Sequence, residues 1–197
     1  MIRFGIDECY NTGMNHRPQS TTASQTEILS AVPADAAGIY RVQRETWLVT
    51  YPNDEYHVTH EAIERKFPVN DEGKIQAKAE SIANLNSNTL QWVAKDSDEV
   101  VGWVVAKREN HQGKILALYV LPLYQGKKVG AKLIQTAIEW IGENNRISVE
   151  VAKYNSKAID FYSHWGFEPT GDIADDPNVP PPEIVIPHIG MIRLTSL

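Results

Sequence analysis

The chain has 197 residues, of which 42% are hydrophobic and 22% charged, with a formal net charge of −6. That length and balance suit one packed domain and exclude general disorder. The acidic balance speaks against a broad nucleic-acid surface and leans toward a cationic partner.

Its single cysteine, Cys9, excludes an internal disulfide framework and a multi-cysteine zinc site. Residues 1–10 carry Asp7 and Glu8 and no apolar signal core, and the longest apolar runs are too short to cross a bilayer. A cytoplasmic chain with no membrane partner is therefore expected.

Residues 1–25 are polar and irregular and read as a poorly ordered arm preceding one domain over 26–197. A short strand is predicted at 27–32. Pro33 then opens a helix, where its missing N–H does no harm. That helix carries Ile39, Val42, Trp47 and Leu48 and stops at Pro52. Helical spacing returns over 59–67 and, with a thin apolar stripe, over 71–86. From Thr89 the period becomes two. Strands over 89–95 and 100–108 flank the turn Asp96-Ser97-Asp98, and a turn at 110–113 leads into a strand over 114–121.

After Pro122, an amphipathic helix running to Ile141 places Val129, Leu133, Ile134, Ala137, Ile138 and Ile141 on its buried side. Residues 146–152 form a strand. A helix begins at Asn155, with Ala158, Phe161, Tyr162 and Trp165 as its apolar face, and Gly166 stops it. An acidic, proline-rich loop is expected over 169–182, followed by a last strand over 184–194, bent near Pro187 or Gly190. This order predicts an α/β (α+β) fold, one mixed sheet with helices on both faces.

The unit that carries chemistry is the strand–turn–helix over 115–141. Gly126 and Gly130 stand where the strand feeds the helix, with Lys127 and Lys128 beside them. Exposed N–H groups and the positive end of the helix dipole make such a turn an anion site, although two glycines serve a tight turn equally well. Neither G-x-x-x-x-G-K-[ST] nor G-x-G-x-x-G is present.

The run Leu118-Tyr119-Val120-Leu121-Pro122-Leu123-Tyr124-Gln125-Gly126-Lys127-Lys128-Val129-Gly130-Ala131 resembles the cofactor motif of GNAT acetyltransferases. That motif is a strand ending in hydrophobic-x-V-x-P, followed by [QR]-x-x-G-x-[GA]. Lys128 replaces its inner glycine. A second block, Asn155-x-x-Ala158-x-x-Phe161-Tyr162-x-x-x-Gly166-Phe167, is similar to the same family's N-x-x-A-x-x-F-Y-x-x-x-G-F, in the family's order and spacing.

The resemblance implies a splayed pair of parallel strands, 114–121 and 146–152, with acetyl-CoA between them and no metal. Leu118, Tyr119 and Val120 would hold the pantetheine and the acetyl carbonyl. The amides from Gln125 through Gly126, Lys127, Lys128, Val129 and Gly130 to Ala131 would hold the pyrophosphate. Asn155 would bond the pantetheine arm, and Ala158 would leave room for it. The resemblance also makes Tyr162 the general acid for the leaving thiolate. On the residues alone, Tyr162 is a core tyrosine of an amphipathic helix.

Alternation in the strand 146–152 puts Ser148, Glu150 and Ala152 on one face. In ribosomal-protein N-terminal acetyltransferases of this family a similarly placed Glu acts as base, often through water, and Glu150 takes that role by resemblance. A solvated or ion-paired glutamate fits the strand as well. Trp47, Tyr51 and Tyr56 lie where such folds build the acceptor site. Their rings could hold an ammonium group or belong to the core.

The histidines share no metal spacing, and Cys9 lies far from both motifs, which gives an acyl-cysteine route no support. The expected activity is direct transfer of an acetyl group to a primary amine in a ternary complex. The amine would be a cationic small molecule such as a polyamine, or a protein N-terminus or lysine. A homodimer is compatible with these features. The rival reading is a non-catalytic acyl-CoA-binding regulatory module.

Overall fold

Within the stretch 89–120, residues 91–94 and 100–106 are buried without alternation, which places it at the centre of a sheet covered on both sides. In the computed structural model, which describes residues 26–173 and 184–194, this stretch is a meander of β2 (Thr89–Asp96), β3 (Glu99–Glu109) and β4 (Gln112–Val120). The β3–β4 turn is only two residues long. Asn110 and His111 both take positive φ, 46° and 63°, as the tight hairpin geometry that matches strand twist requires. Gln112 and Gly113, expected in the turn, therefore belong to β4.

Around the meander lie β1 (Glu27–Ser30), β5 (Arg146–Ala152), β6 (Phe167–Asp172) and β7 (His188–Arg193). The sheet order is β1-β2-β3-β4-β5-β7-β6. All neighbours are antiparallel except β4 and β5.

One face carries α1 (Ala36–Thr50), entered through a 3-10 turn at Pro33–Asp35, with α2 (His60–Lys66) and α3 (Glu72–Ala83) beside it. The other carries α4 (Val129–Ile141) and α5 (Ser156–His164), joined where Phe161 rests on Gly130. All six apolar residues expected on the inner side of α4 are buried. At about 1.5–3 kcal/mol for each fully buried large aliphatic side chain, that stripe fixes the helix on the sheet. The approach is close: a Cβ at Gly113 would lie 2.4 Å from the Ile141 side chain.

The arm expected at 1–25 lies outside the described residues. So does most of the loop expected at 169–182, but its first residues do not form a loop. They belong to β6, the edge strand paired to β7. Pro169, which argued against a strand, is tolerated there because an edge strand leaves one row of its backbone groups unpaired. The register also shifts between Pro169 and Gly171. The last strand is shorter than expected, beginning after Pro187 and running through Gly190.

Candidate active site

The parallel pairing of β4 and β5 is short. It runs from Gln112–Arg146 to Ile115–Val149 and then stops. Just beyond, the β3–β4 register shifts so that Val105 faces Ala117 while Ala106 faces Ile115. Leu116 is thus the extra residue of a bulge, the usual device for bending one strand away from its neighbour. The two strands part here, as the family resemblance implied.

The parting leaves a cleft of about 710 Å³. Residues 115–120, 149–152 and 154–158 line it, together with Thr46, Val49, Thr50 and Tyr51 of the α1 end, Gln125, Gly126, Lys128, Gly130 and Ala131, and Phe161 and Tyr162.

Backbone geometry decides what β4 offers to this gap. The Leu121 N–H donates to the Val101 carbonyl at 2.9 Å. Bonding directions alternate along an antiparallel pair, so the polar groups of Val120, and of Leu118 two residues earlier, turn away from β3 and toward the gap. The Gln125 side-chain amide donates to the Val120 carbonyl at 3.1 Å. Gln125 therefore serves the loop with its side chain, and Val120 presents its N–H.

The turn between β4 and α4 is held in place from outside. The Tyr124 hydroxyl donates to Asp96 Oδ2 at 2.8 Å, which pushes the phenol's pKa up. Within the turn Gly126 has φ 75° and Lys128, the residue just before α4, has φ 65°. The left-handed conformation of Lys128 explains the glycine in the family motif: the position demands positive φ, and a lysine there carries a steric penalty. Gly130 and Ala131 of the first turn of α4 line the cleft where this loop ends, with Lys127 and Lys128 adjoining.

On the other side, Asn155 stands immediately before α5, and its Oδ1 accepts from the Ala158 N–H at 3.1 Å. Half of its conspicuous spacing to Ala158 is therefore helix capping. Both residues line the cleft. Tyr162 also lines it and is buried, and its hydroxyl pKa is raised by desolvation first and by the neighbouring Tyr119 second. That phenol stays protonated at any physiological pH.

Glu150 is in the cleft but not alone. Its Oε1 pairs with Lys114 Nζ of β4, both side chains about half exposed. The pairing follows from register: Lys114 lies opposite Ser148, so Glu150, two residues on, shares its face.

Of the three aromatic residues assigned to the acceptor, Tyr51 lines the cleft, while Trp47 and Tyr56 are not among its lining residues. They stand one layer behind. The Trp47 Nε1–H donates to Tyr119 Oη at 3.2 Å, and Tyr56 stacks on Tyr154 with ring centroids 5.4 Å apart.

Thr46, Thr50 and Tyr154 also line this end and had not been singled out. Tyr154 directly precedes the Asn155 motif and was legible. Thr46, on a helix face otherwise read as core, was not. Its Oγ1 is buried with no hydrogen-bond partner.

Among the described residues, no group of three His, Cys, Asp or Glu could hold a metal ion. No helix among them is long and apolar enough to cross a membrane.

Residues 38–167 match the model of the Acetyltransferase (GNAT) family. An uncharacterized N-acetyltransferase of Archaeoglobus fulgidus is 32% identical over 84 residues, 42% of this chain and 54% of the relative. N-alpha-acetyltransferase 30 of Schizosaccharomyces pombe is 30% identical over 85 residues, 40% of this chain and 57% of the relative. The chain thus spans little more than half the length of these curated relatives.

Among solved structures, the PaiA N-acetyltransferase of Thermoplasma acidophilum in complex with coenzyme A shares the fold. It has a TM-score of 0.62 at 24% identity, over 86% of this chain and 98% of that one. The Escherichia coli ribosomal-protein-S18-alanine N-acetyltransferase does so with a TM-score of 0.58 at 16% identity, over 87% and 95%.

Proposed function

The chain belongs to the GNAT acetyltransferase family, and from that premise we propose that it transfers an acetyl group from acetyl-CoA to a primary amine by direct attack in a ternary complex. The observation that carries this reading is the parting of β4 and β5 after Ile115 and Val149, beside a turn in which Gly126 and Lys128 take positive φ.

The residues present suit acetyl-CoA. The N–H of Val120 and the polar backbone of Leu118 meet an extended amide arm as a neighbouring strand would. The NH₂ end of the Asn155 side chain faces the same arm, with its oxygen committed to the helix cap. The amides from Gly126 to Ala131, with Lys127 and Lys128, supply an anion seat for the pyrophosphate.

The Val120 N–H stabilises the negative charge that develops on the thioester oxygen. Glu150 removes the proton that the attacking nitrogen must lose, directly or through water. Tyr162 donates to the leaving sulfur.

For the acceptor, Glu150 is the only carboxylate among the described residues lining the cleft, and Lys114 already pairs with it. Lys128 and Lys157 also line the cleft. Among the described residues lining the cleft, a polyamine would find no second anionic partner for its distal ammonium. The acceptor end offers hydroxyls and rings instead: Thr46, Thr50, Tyr51 and Tyr154. A monoamine or a peptide N-terminus therefore fits better than a polyamine, and the similarity to N-alpha-acetyltransferase 30 supports the peptide amine.

The test is thiol release from acetyl-CoA with a panel of peptides, monoamines and polyamines. Release with an uncharged-flanked amine supports the reading. Binding of CoA with no release for any amine would leave a non-catalytic acyl-CoA module. Failure to bind CoA would remove the site assignment.

A further inference from the structure

Tyr119 stands in β4 between Leu118 and Val120, whose backbone faces the gap, and its side chain lines the cleft on the α1 side. Its ring is fixed. It stacks on Trp103, centroids 6.0 Å apart and planes 25° apart, and Trp103 is held by its own indole N–H to Gln91 Oε1 at 2.9 Å.

The hydroxyl is directed as well. An indole N–H only donates, so at 3.2 Å from Trp47 Nε1 the Tyr119 oxygen must accept. The Tyr51 hydroxyl lies beside the same oxygen, and burial raises the pKa of both phenols. With the Trp47 N–H donating to it, the Tyr119 hydroxyl keeps its own proton as a donor at the wall of the cleft that Tyr162 also lines.

We propose that Tyr119 is a second hydrogen-bond donor to the leaving sulfur, oriented by Trp47 and acting opposite Tyr162. This rests on the acetyl-transfer reading above. The C–N bond forms as the C–S bond breaks, and the sulfur takes the bonding electron pair. Tyr162 gives the proton that completes the thiol and recovers one from water. Glu150 receives the proton lost by the nitrogen. Tyr119 keeps its proton throughout and lowers the energy of the charge on sulfur. A buried phenol with no second donor nearby is a weak acid for a thiolate; two donors from opposite faces of the sheet share that task.

The experiment compares Tyr119→Phe, Tyr162→Phe and the double variant with the wild type in thiol release, alongside CoA binding and thermal melting. Tyr119→Phe keeps the ring and its stack on Trp103. The expected result is a fall in kcat of about 10- to 100-fold, the range of losing one donor to a developing anion, with CoA affinity within about twofold. The double variant should lose more than the product of the two single losses, because each donor partly covers for the other on one atom.

Trp47→Phe, which deletes only the orienting N–H and some ring area, should lower kcat in the same direction by a smaller factor. It also carries the test if Tyr119→Phe fails to fold. A Tyr119→Phe enzyme with wild-type kcat, or strictly multiplicative losses in the double variant, overturns the proposal while leaving acetyl transfer intact. A wild type that binds CoA but releases no thiol overturns both.

Discussion

Lys114 Nζ and the Glu150 carboxylate pair across the first residues of the gap between β4 and β5, on strands that are hydrogen-bonded at Lys114–Ser148 and separated by Glu150. The pair is about half exposed, so its net contribution to folding is small, about 0–1 kcal/mol. Glu150→Gln should therefore melt within a degree or two of the wild type. If Glu150 removes the proton, the same variant should lose activity by about 10²- to 10⁴-fold. Steady-state kinetics beside a thermal melt checks both, and a Gln variant retaining full kcat/KM would hand the base role to water.

The left-handed φ of Lys128 gives a prediction in which stability and binding move apart. Lys128→Gly removes a steric penalty of about 1 kcal/mol and should raise the melting temperature by about 2–4 °C. It also removes a cation beside the proposed anion seat, and KM for acetyl-CoA should rise severalfold. Lys128→Ala separates the two effects: it loses the charge and keeps the strain. An Ala variant as stable as the Gly variant would show that the backbone is not strained there.

Thr46 Oγ1 is buried without a partner, a state that costs about 1–3 kcal/mol. Thr46→Val keeps the shape and removes the hydroxyl, so it should stabilise the protein by about 1 kcal/mol in a denaturant titration. A rise in KM for the amine in the same variant would mean that the acceptor is what satisfies the hydroxyl. A destabilised variant would contradict the burial on which this argument stands.

Lys78 lies against α1 and β3, its Nζ 4.2 Å from the Trp103 ring centroid and 3.1 Å from Gln43 Oε1. Burial lowers its pKa from 10.5 to about 8, and the ring face and amide oxygen offset part of that penalty. A depressed lysine pKa means that the unfolded chain binds more protons between these two values, so this group's contribution to stability improves as pH rises from about 8 to 10.5. Below pH 8 the penalty is present in full. Lys78→Met should therefore be more stable than wild type at pH 7, by roughly 1 kcal/mol once solvent screening is allowed for, and the advantage should shrink by pH 10. A constant difference across that range would mean that the ammonium is not desolvated.

Much of this was legible before any coordinates. Helix α4 was fully specified, because an apolar stripe of period 3.6 has one way to lie on a sheet. The parting strands followed from the resemblance carried by two motif blocks, and residues of both blocks line the cleft between them. What escaped the sequence was set by tertiary partners. Pro169 looked like a loop residue because nothing local says that β6 is an edge strand paired only to β7. Lys128 looked like a tolerated departure from glycine, whereas its φ shows the conformation that glycine serves. Trp47 looked like a choice between core and acceptor site, and it is neither alone: it packs on Tyr51 and Phe67 while its N–H orients Tyr119. A composition or a period cannot show a hydrogen bond between residues 72 positions apart.

The gap between β4 and β5 is also lined from two faces of the sheet. The turn of Gln125 to Ala131 and the start of α5 meet it from the α4 face, while Thr46, Val49 and Tyr51 meet it from the α1 face. On the proposed assignment, donor and acceptor would reach the gap from opposite faces of the sheet, an arrangement that leaves the order of their arrival open.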